Sequence, residues 1–319
     1  VTQVWQEIAI APLPLYHIYS FTLNCLLMME MGNHVVLITN PRDIRGFVKE
    51  LKKWRFTVFS GLNTLFVALC KNEQFKQLDF SGLKLTLSGG MALTQATAES
   101  WLSVTGCEVV EGYGLTETSP IVSVNPPGGV QVGTIGPPIP ATEVRLLDED
   151  GQLVPNGGIG ELCVRGPQVM KGYWNRPEET ALVLSDDGWL KTGDIAQIQD
   201  DGYIRIVDRK KDMINVSGFN VYPNELEDII SGHPDIEECV AIGLPHHNGG
   251  ELVKLFVVSR DSNLSVKAVR DYARERLTAY KVPSQVEFRS DLPKTNVGKV
   301  LRRALRDEEL EKLRNNGQS

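Results

Sequence analysis

Short runs of β-branched residues alternate with helical patterns along the first 124 residues. The predicted strand and helix pairs lie at 34–38 and 42–54, at 57–60 and 64–72, and at 84–87 and 94–105. Thr94 is the predicted N-cap of the third helix, and Gly106 is its predicted stop. Since strands alternating with helices form βαβ units, residues 1–124 are predicted to build a parallel α/β sheet.

The pattern changes to short strands with frequent turns between residues 125 and 207. Glycine, proline, asparagine and aspartate cluster at 125–129, 148–151, 156–158 and 200–202. Such clusters mark tight turns between strands. This part of the chain is therefore predicted to be a small antiparallel β subdomain that completes a large domain at 1–207.

A different order follows in the last third of the chain. The predicted order is strand, helix, strand, strand, helix, strand, at 203–207, 225–231, 238–244, 253–259, 266–277 and 285–289. This β-α-β-β-α-β order is typical of a ferredoxin-like α+β domain. We expect a hinge at the charged cluster 208–212, a small C-terminal domain at 213–319 and a charged helix near the end.

Composition narrows the class of protein. A chain of 319 residues can hold about two domains. Its 33 basic and 40 acidic residues give a formal charge of −7, which argues against a nucleic-acid partner for the whole chain. The five cysteines are far apart and form no CxxC pair, which argues against a disulfide framework or a zinc site and favours the reducing cytoplasm.

The longest apolar stretch, 18–31, is interrupted by Ser20, Thr22, Asn24 and Glu30. A membrane-spanning helix needs about 20 apolar residues, so none is expected. No signal-peptide pattern is visible either. We expect a cytoplasmic protein, and the sequence leaves open a peripheral contact with the inner face of the membrane and a homo-oligomer.

The segment 111–118 follows a predicted strand and combines glycines, an aromatic ring, a hydroxyl and a carboxylate. Gly112 and Gly114 let the backbone approach a ligand, and Tyr113 offers a stacking face. Thr116 can donate to a phosphate, and Glu117 can hold Mg²⁺. From these residues alone, a tight turn with a core tyrosine is an equally good interpretation.

Three further segments carry candidate chemistry. Asp194 follows a turn and could accept the hydroxyls of a ribose, although a solvated turn aspartate explains it as well. Arg209 and its basic neighbours could complete the same site or form a solvated face. Gly298-Lys299 lacks the spacing of a phosphate-binding loop, but its lysine could act as a movable charge.

Taken in order, seven motifs resemble the adenylate-forming superfamily, and most closely bacterial long-chain fatty acid–CoA ligases. The resemblance covers essentially the whole chain. The motifs lie at 14–17, 87–91, 112–117, 188–194, 207–214, 217–227 and 293–299.

The resemblance implies roles for the nucleotide-binding residues. Tyr113, between Gly112 and Gly114, resembles the adenine-stacking ring, Thr116 a phosphate ligand and Glu117 the Mg²⁺-linked carboxylate. Asp194 and Arg209 resemble the ribose ligands. Lys299 resembles the lysine that stabilises the transition state of adenylation, where charge develops on the α-phosphate.

The resemblance also implies roles on the acyl and coenzyme A side. His17 resembles the residue near the acyl carboxylate, Phe21 an aromatic gate of the acyl tunnel, and Gly89 a residue that lines the acyl pocket. Gly218 resembles the glycine beside the pantetheine path. Lys211 occupies the hinge position about which the small domain of such enzymes rotates between the two half-reactions.

The implied function is ATP-dependent, AMP-forming ligation of a fatty acid to coenzyme A through an acyl-adenylate. The Ser/Thr/Gly-rich phosphate loop of the superfamily is not found in these 319 residues. We therefore expect the chain to be the downstream part of an enzyme and to be inactive when isolated. Two alternatives stay open: an aryl- or amino-acid-activating enzyme that loads a carrier protein, and a nucleotide-binding fragment without catalysis.

Overall fold

The computed structural model describes residues 6–155, 157–246, 249–295 and 300–316. The chain divides into two compact units. Unit 1 comprises Val1–Thr192 and Ala196–Ile206, and unit 2 comprises Gly193–Ile195 and Val207–Ser319. The domain and hinge limits of the sequence analysis stay predictions beside this division.

Unit 1 contains a six-stranded sheet. Its strands are β1 (Ile8–Ala11), β2 (His34–Leu37), β3 (Val58–Gly61), β4 (Leu85–Ser88), β5 (Val109–Gly114) and β6 (Ile121–Val124). They lie in the order β2-β1-β3-β4-β5-β6. Strands β1 to β5 are parallel, and β6 pairs antiparallel with β5. The carboxyl ends of β4 and β5 therefore lie side by side.

Helices connect these strands. They are α1 (Ile18–Ser20), α2 (Met28–Glu30), α3 (Ile44–Leu51), α4 (Asn63–Cys70), α5 (Glu73–Lys76) and α6 (Gln95–Thr105), and a π-helical segment, Phe21–Leu27, joins α1 to α2. The hydroxyl of Thr94 accepts from Thr97 N and caps α6, while Gly106 ends α6 at a φ of +70°. Both predicted boundaries of α6 are confirmed.

The core of the sheet centres on Trp101 of α6, which is fully buried. The rings of Phe59, Phe66 and Phe75 surround it at centroid distances of 5.1, 4.7 and 5.5 Å. Its indole N–H donates to the Thr86 hydroxyl at 3.0 Å, so the buried polar group of this large apolar side chain is satisfied.

The β subdomain follows, and all of it except residues 193–195 and 207–209 belongs to unit 1. It consists of β7 (Glu143–Leu147), β8 (Ile159–Arg165), β9 (Leu190–Ile198), β10 (Ile204–Arg209) and a short helix, α7 (Pro177–Val183). The strands form a four-stranded sheet in the order β10-β9-β8-β7. Leu146, Leu162, Val164 and Ile204 form its buried face.

Unit 2 combines a two-stranded and a three-stranded sheet with helices. Its elements are β11 (Ile214–Val216), β12 (Phe219–Val221), α8 (Pro223–Ser231), β13 (Ile236–Pro245), β14 (Glu251–Ser259), α9 (Val266–Arg274), β15 (Gln285–Phe288) and α10 (Arg302–Asn316). Strand β14 lies in the centre, antiparallel to β13 and parallel to β15.

The predicted fold class is confirmed: a parallel α/β sheet, a small β subdomain and an α+β second part. One strand of the ferredoxin-like order was predicted in the wrong sheet. The strand at 203–207 is β10, which pairs with β9, so the larger sheet of unit 2 has three strands in the described chain. The sequence order of elements does not reveal which sheet a strand joins.

No helix in the described ranges is both long and apolar enough to cross a membrane.

Candidate functional site

A sharp turn follows β5 and depends on Gly114. A Cβ atom on Gly114 would lie 1.8 Å from the carbonyl oxygen of Pro120, so only glycine fits. The same oxygen accepts from Leu115 N at 2.9 Å and from the Thr118 hydroxyl at 2.5 Å. This closed turn starts a 3₁₀ helix, Thr116–Thr118, that leaves Thr116 exposed and Glu117 half-buried.

Glu117 is oriented by a tyrosine that the sequence analysis missed. The hydroxyl of Tyr173 donates to Oε1 of Glu117 at 2.9 Å. Met170 N also donates to the Glu117 carbonyl at 2.8 Å, so this loop contacts both the backbone and the side chain of the glutamate. Partial burial, together with the neighbouring Glu117 carboxylate, raises the pKa of Tyr173. No motif identified Tyr173, because it lies 56 residues from Glu117 along the chain.

Tyr113 lies between the two glycines. It is half-buried and packs against the core of the β subdomain. The interpretation as a core tyrosine therefore describes part of this side chain, and its stacking role stays a prediction.

Gly89 lies next to Gly112 at the carboxyl ends of β4 and β5. A Cβ atom on Gly89 would lie 3.5 Å from the Gly112 carbonyl oxygen and 3.5 Å from the ring of Tyr19. The Tyr19 hydroxyl donates to the Leu87 carbonyl at 3.0 Å, which fixes the ring beside this glycine. The structure thus brings Gly89 to the segment 112–114, as expected if the two segments serve one site.

Glu111 is a buried carboxyl group directly before this segment, and it was not among the predicted site residues. It is 6% exposed, and its Oε1 accepts from Leu93 N at 3.1 Å. Burial raises the pKa of Glu111 to about 8. Its Oε2 and the hydroxyl of Ser88, the neighbouring residue on β4, have no hydrogen-bond partner in the described chain. In the sequence, the acidic residue directly after two valines of β5 could have indicated a buried carboxyl group at this site.

His17 and Phe21 lie near the start of the helical segment that contains Tyr19. Nδ1 of His17 accepts from Tyr19 N at 3.3 Å, so the imidazole caps α1. Phe21 begins the π-helical segment and is 43% exposed. Among the described residues of unit 1, neither side chain belongs to the buried core clusters, and their roles toward a ligand stay predictions.

Asp194 and Arg209 come together in unit 2. Nε of Arg209 lies 3.6 Å from Oδ1 of Asp194, and Asp194 is 5% exposed. The two residues lie on β9 and β10, which are neighbours in one sheet. Sheet pairing therefore explains why two residues distant in sequence form one ion pair.

Lys211 and Gly218 follow Arg209 in the same unit. Lys211 lies exposed in a 3₁₀ helix, Lys210–Asp212. Gly218 forms the turn between β11 and β12 at a φ of +86°, which favours glycine, and its N–H donates to Oδ1 of Asn215 at 2.9 Å.

Lys299 lies outside the described residues, but described residues before and after 296–299 are paired. Lys294 forms a β-bridge with Val300, and Leu301 N donates to the Pro293 carbonyl at 2.8 Å. Lys294 is itself held by an ion pair of 2.8 Å with Glu238.

The described residues contain no group of three or more histidine, cysteine or acidic side chains arranged to hold a metal ion. A Mg²⁺ ion that accompanies a nucleotide needs only one or two protein carboxylates, because phosphate and water supply its other ligands. Glu117 fits this role, since its Oε2 makes no hydrogen bond within the described ranges and the side chain is only half-buried.

Comparisons with known proteins identify the family of the chain. Residues 1–174 match the family model of AMP-binding enzymes, and residues 225–299 match the AMP-binding enzyme C-terminal domain. The chain is 55% identical, over 97% of its length, to a long-chain-fatty-acid–CoA ligase of Escherichia coli O6:H1, and 39% identical over 94% to a feruloyl-CoA synthase of Amycolatopsis.

Among solved structures, ATP-bound MatB from Rhodopseudomonas palustris matches 95% of the chain with a TM-score of 0.86 and 32% identity, and the match covers 60% of that structure. The chain spans 55% of the length of the Escherichia coli relative and 61% of the feruloyl-CoA synthase. Because a family model covers more than half of its residues, the chain belongs to the AMP-binding enzyme family.

Proposed function

We propose that this chain forms part of an ATP-dependent, AMP-forming ligase that joins a fatty acid to coenzyme A. The proposal rests on the contact between Gly89 and the segment 112–114. Directly after this segment come the exposed Thr116 and the Glu117 carboxylate. The carboxyl ends of β4 and β5 thereby bring Gly89 beside groups that suit a nucleotide.

On the nucleotide side, the accessible part of Tyr113 would stack on adenine, and Gly112 and Gly114 would let the backbone approach it. Thr116 would donate to a phosphate oxygen. The ion pair of Asp194 and Arg209 would hold the ribose, with the aspartate accepting from its hydroxyls. Mg²⁺ held by Glu117 would neutralise charge on the phosphates.

On the acyl side, Gly89 and the Tyr19 ring would line the pocket, because a Cβ atom on Gly89 would contact both this ring and the Gly112 carbonyl oxygen. His17 would lie near the acyl carboxylate, and the exposed Phe21 would form the mouth of the acyl tunnel. The missing side chain at Gly89 leaves room for the carbon next to the carboxylate.

The reaction would proceed in two displacements. A carboxylate oxygen of the fatty acid attacks the α-phosphorus of ATP, the bond to the β-phosphate oxygen breaks, and pyrophosphate leaves. The coenzyme A thiol then loses its proton and attacks the acyl carbonyl, and AMP leaves with the bonding electrons. The product is the thioester.

Two lysines would act in different half-reactions. Lys299 would meet the charge that develops on the α-phosphate during the first step. Lys211 would act as the hinge that exchanges catalytic groups before the second, and Gly218 would border the pantetheine of coenzyme A. Lys211 is exposed and lies in a short 3₁₀ helix, and both features support its role as the hinge.

A second candidate is a ligase for an aromatic acid, favoured by the 39% identity to a feruloyl-CoA synthase. The 55% identity to a long-chain-fatty-acid–CoA ligase supports the fatty acid more strongly.

We further propose a cytoplasmic location with a peripheral membrane contact, because fatty acids partition into bilayers. Co-sedimentation with lipid vesicles tests that contact.

The decisive experiment is ATP–pyrophosphate exchange with the full-length protein and a panel of octanoate, palmitate, oleate, ferulate and anthranilate. We expect exchange with palmitate or oleate, and acyl-CoA when coenzyme A is added. Exchange with ferulate alone would favour the aryl ligase. ATP binding without exchange for any acid would favour a non-catalytic nucleotide-binding protein. The 319-residue chain, assayed in parallel, should show little or no turnover.

A further inference from the structure

A buried aspartate directly precedes Arg209. Asp208 is fully buried, and its two carboxylate oxygens accept from Arg209 N and from Asn224 N, each at 2.7 Å. Tyr222, the N-cap residue that precedes α8, provides no side-chain cap. Asp208 therefore satisfies a free N–H in the first turn of α8 and fixes the backbone of Arg209 at the same time.

Arg302, the first residue of α10, completes the link. Its Nη2 lies 2.5 Å from Oε2 of Glu227 and donates to Oδ1 of Asn224 at 2.8 Å. Its Nη1 lies 3.8 Å from Oδ2 of Asp212. The guanidinium thus connects α10 and α8 to a residue just after Arg209.

This network is a costly way to stabilise a small unit. Charges removed from water lose hydration that their attraction seldom restores in full, and apolar side chains of similar size often stabilise as well. Burial raises the pKa of Glu227 to about 7 even with Arg302 beside it. These buried charged groups are explained if they position the neighbouring backbone, because hydrogen bonds are directional and apolar contacts are not.

We propose that Arg302 is a positioning residue for the ribose-binding pair: through Asn224, Glu227 and Asp208 it holds the backbone of Arg209 where its side chain meets Asp194. This inference rests on the proposed function, in which that pair binds ribose. Arg302 is not a catalytic residue in this scheme, because it touches no substrate group.

The test measures recognition of ribose rather than rate alone. The readout is kcat/KM for ATP divided by that for 2′-deoxy-ATP and for 3′-deoxy-ATP, in pyrophosphate exchange by the full-length protein. A hydrogen bond to a charged group corresponds to about 10- to 100-fold, so the wild type should prefer ATP by that factor for at least one analogue. The double variant Arg302→Met with Glu227→Leu replaces the buried pair by apolar side chains, and its preference should fall to about 3-fold or less.

Arg289→Met is the matched control. Arg289 also pairs with a carboxylate of α10, with Nη2 2.6 Å from Oε1 of Glu308, but its ion-pair partners among the described residues are Glu287, Glu308 and Glu309, none of which lies in the segment 208–212. This variant should keep the wild-type preference even if its melting temperature falls.

A folded double variant with the wild-type preference would overturn the proposal, whatever its rate. If the double variant does not fold, Arg302→Lys keeps the charge and loses the planar fork, and an unchanged preference in that variant would be equally decisive. A wild type without preference would refute the ribose assignment and the positioning role together. A wild type without exchange would refute the proposed ligase, and calorimetric binding of ATP and its deoxy analogues would still test Arg302.

Discussion

The hydroxyl of Tyr173 donates a 2.9 Å hydrogen bond to Oε1 of Glu117. One carboxylate oxygen is thereby held while Oε2 makes no hydrogen bond to the described residues. A carboxylate fixed through one oxygen can present the other to a cation in a constant direction. The loop with Tyr173 therefore supports the residue that we propose holds Mg²⁺.

Removing this hydroxyl should weaken the response to magnesium. In Tyr173→Phe, the Mg²⁺ concentration for half-maximal pyrophosphate exchange should rise about fivefold, which corresponds to the ~1 kcal/mol of a typical hydrogen bond. Tyr203→Phe is the control, because it removes a hydroxyl that donates to the Gly129 carbonyl elsewhere in unit 1. Identical magnesium curves for wild type and Tyr173→Phe would show that the contact does not orient Glu117.

The buried carboxyl group of Glu111 predicts a pH dependence of stability. Folding raises its pKa from 4.5 to about 8, so the folded state holds the proton more tightly. This contribution is fully present below pH 4.5 and is lost as the pH rises through 8. Glu111→Gln cannot lose a proton, and we expect it to be more stable than the wild type at pH 9, by about 1 kcal/mol or more.

The measurement for Glu111 is urea unfolding between pH 5 and 9. Glu143→Gln is the control, because the hydrogen bond from Arg165 lowers the pKa of Glu143 and its contribution is lost only as the pH falls. A wild-type protein and a Glu111→Gln variant that differ equally at pH 5 and pH 9 would contradict a raised pKa.

The two glycines beside Tyr113 should respond differently to an added methyl group. Gly114→Ala would place Cβ 1.8 Å from a backbone oxygen, so the turn must open, and we expect at least ~3 kcal/mol of destabilisation. In Gly112→Ala the nearest atom, the Ser123 carbonyl oxygen, is 3.5 Å away, an ordinary contact. Thermal unfolding of both variants compares them, and equal melting temperatures would show that the turn relaxes easily.

Asp194 should matter for nucleotide affinity. Asp194→Ala removes the acceptor proposed for the ribose hydroxyls, and ATP binding should weaken by about 1.5–3 kcal/mol. Asp200→Ala, at an exposed turn, is the control. Calorimetric titration of the full-length proteins measures the effect, and an unchanged affinity would leave Asp194 with only a structural role in β9.

Lys299 and Lys211 should affect different half-reactions. Lys299→Ala should slow adenylation about 10²–10³-fold, the range for losing one oxyanion donor, and should spare thioester formation from supplied acyl-adenylate. Lys211→Pro should do the reverse, because proline fixes φ near −65° and blocks the hinge. Single-turnover kinetics of each half-reaction separates them, and equal losses in both steps for both variants would rule out this division.

The sequence alone determined the features that depend on neighbours along the chain. Thr94 and Gly106 set the ends of α6 because caps and stops act within one helical turn. Gly112-Tyr113-Gly114 indicated a close-approach turn because glycine has no Cβ. Strand β1, in which the last three of four residues are buried, was not predicted, since a short buried strand shows no polar alternation.

Only the tertiary structure decided which distant residues meet. Tyr173 contacts Glu117, Arg302 contacts Glu227, and Leu93 N contacts Glu111 because strands and helices remote in sequence pack together. It also assigned β10 to the sheet with β9, which places Arg209 beside Asp194. The physical reason is that hydrophobic periodicity specifies which face of an element is buried, whereas packing and pairing with other elements specify its partner.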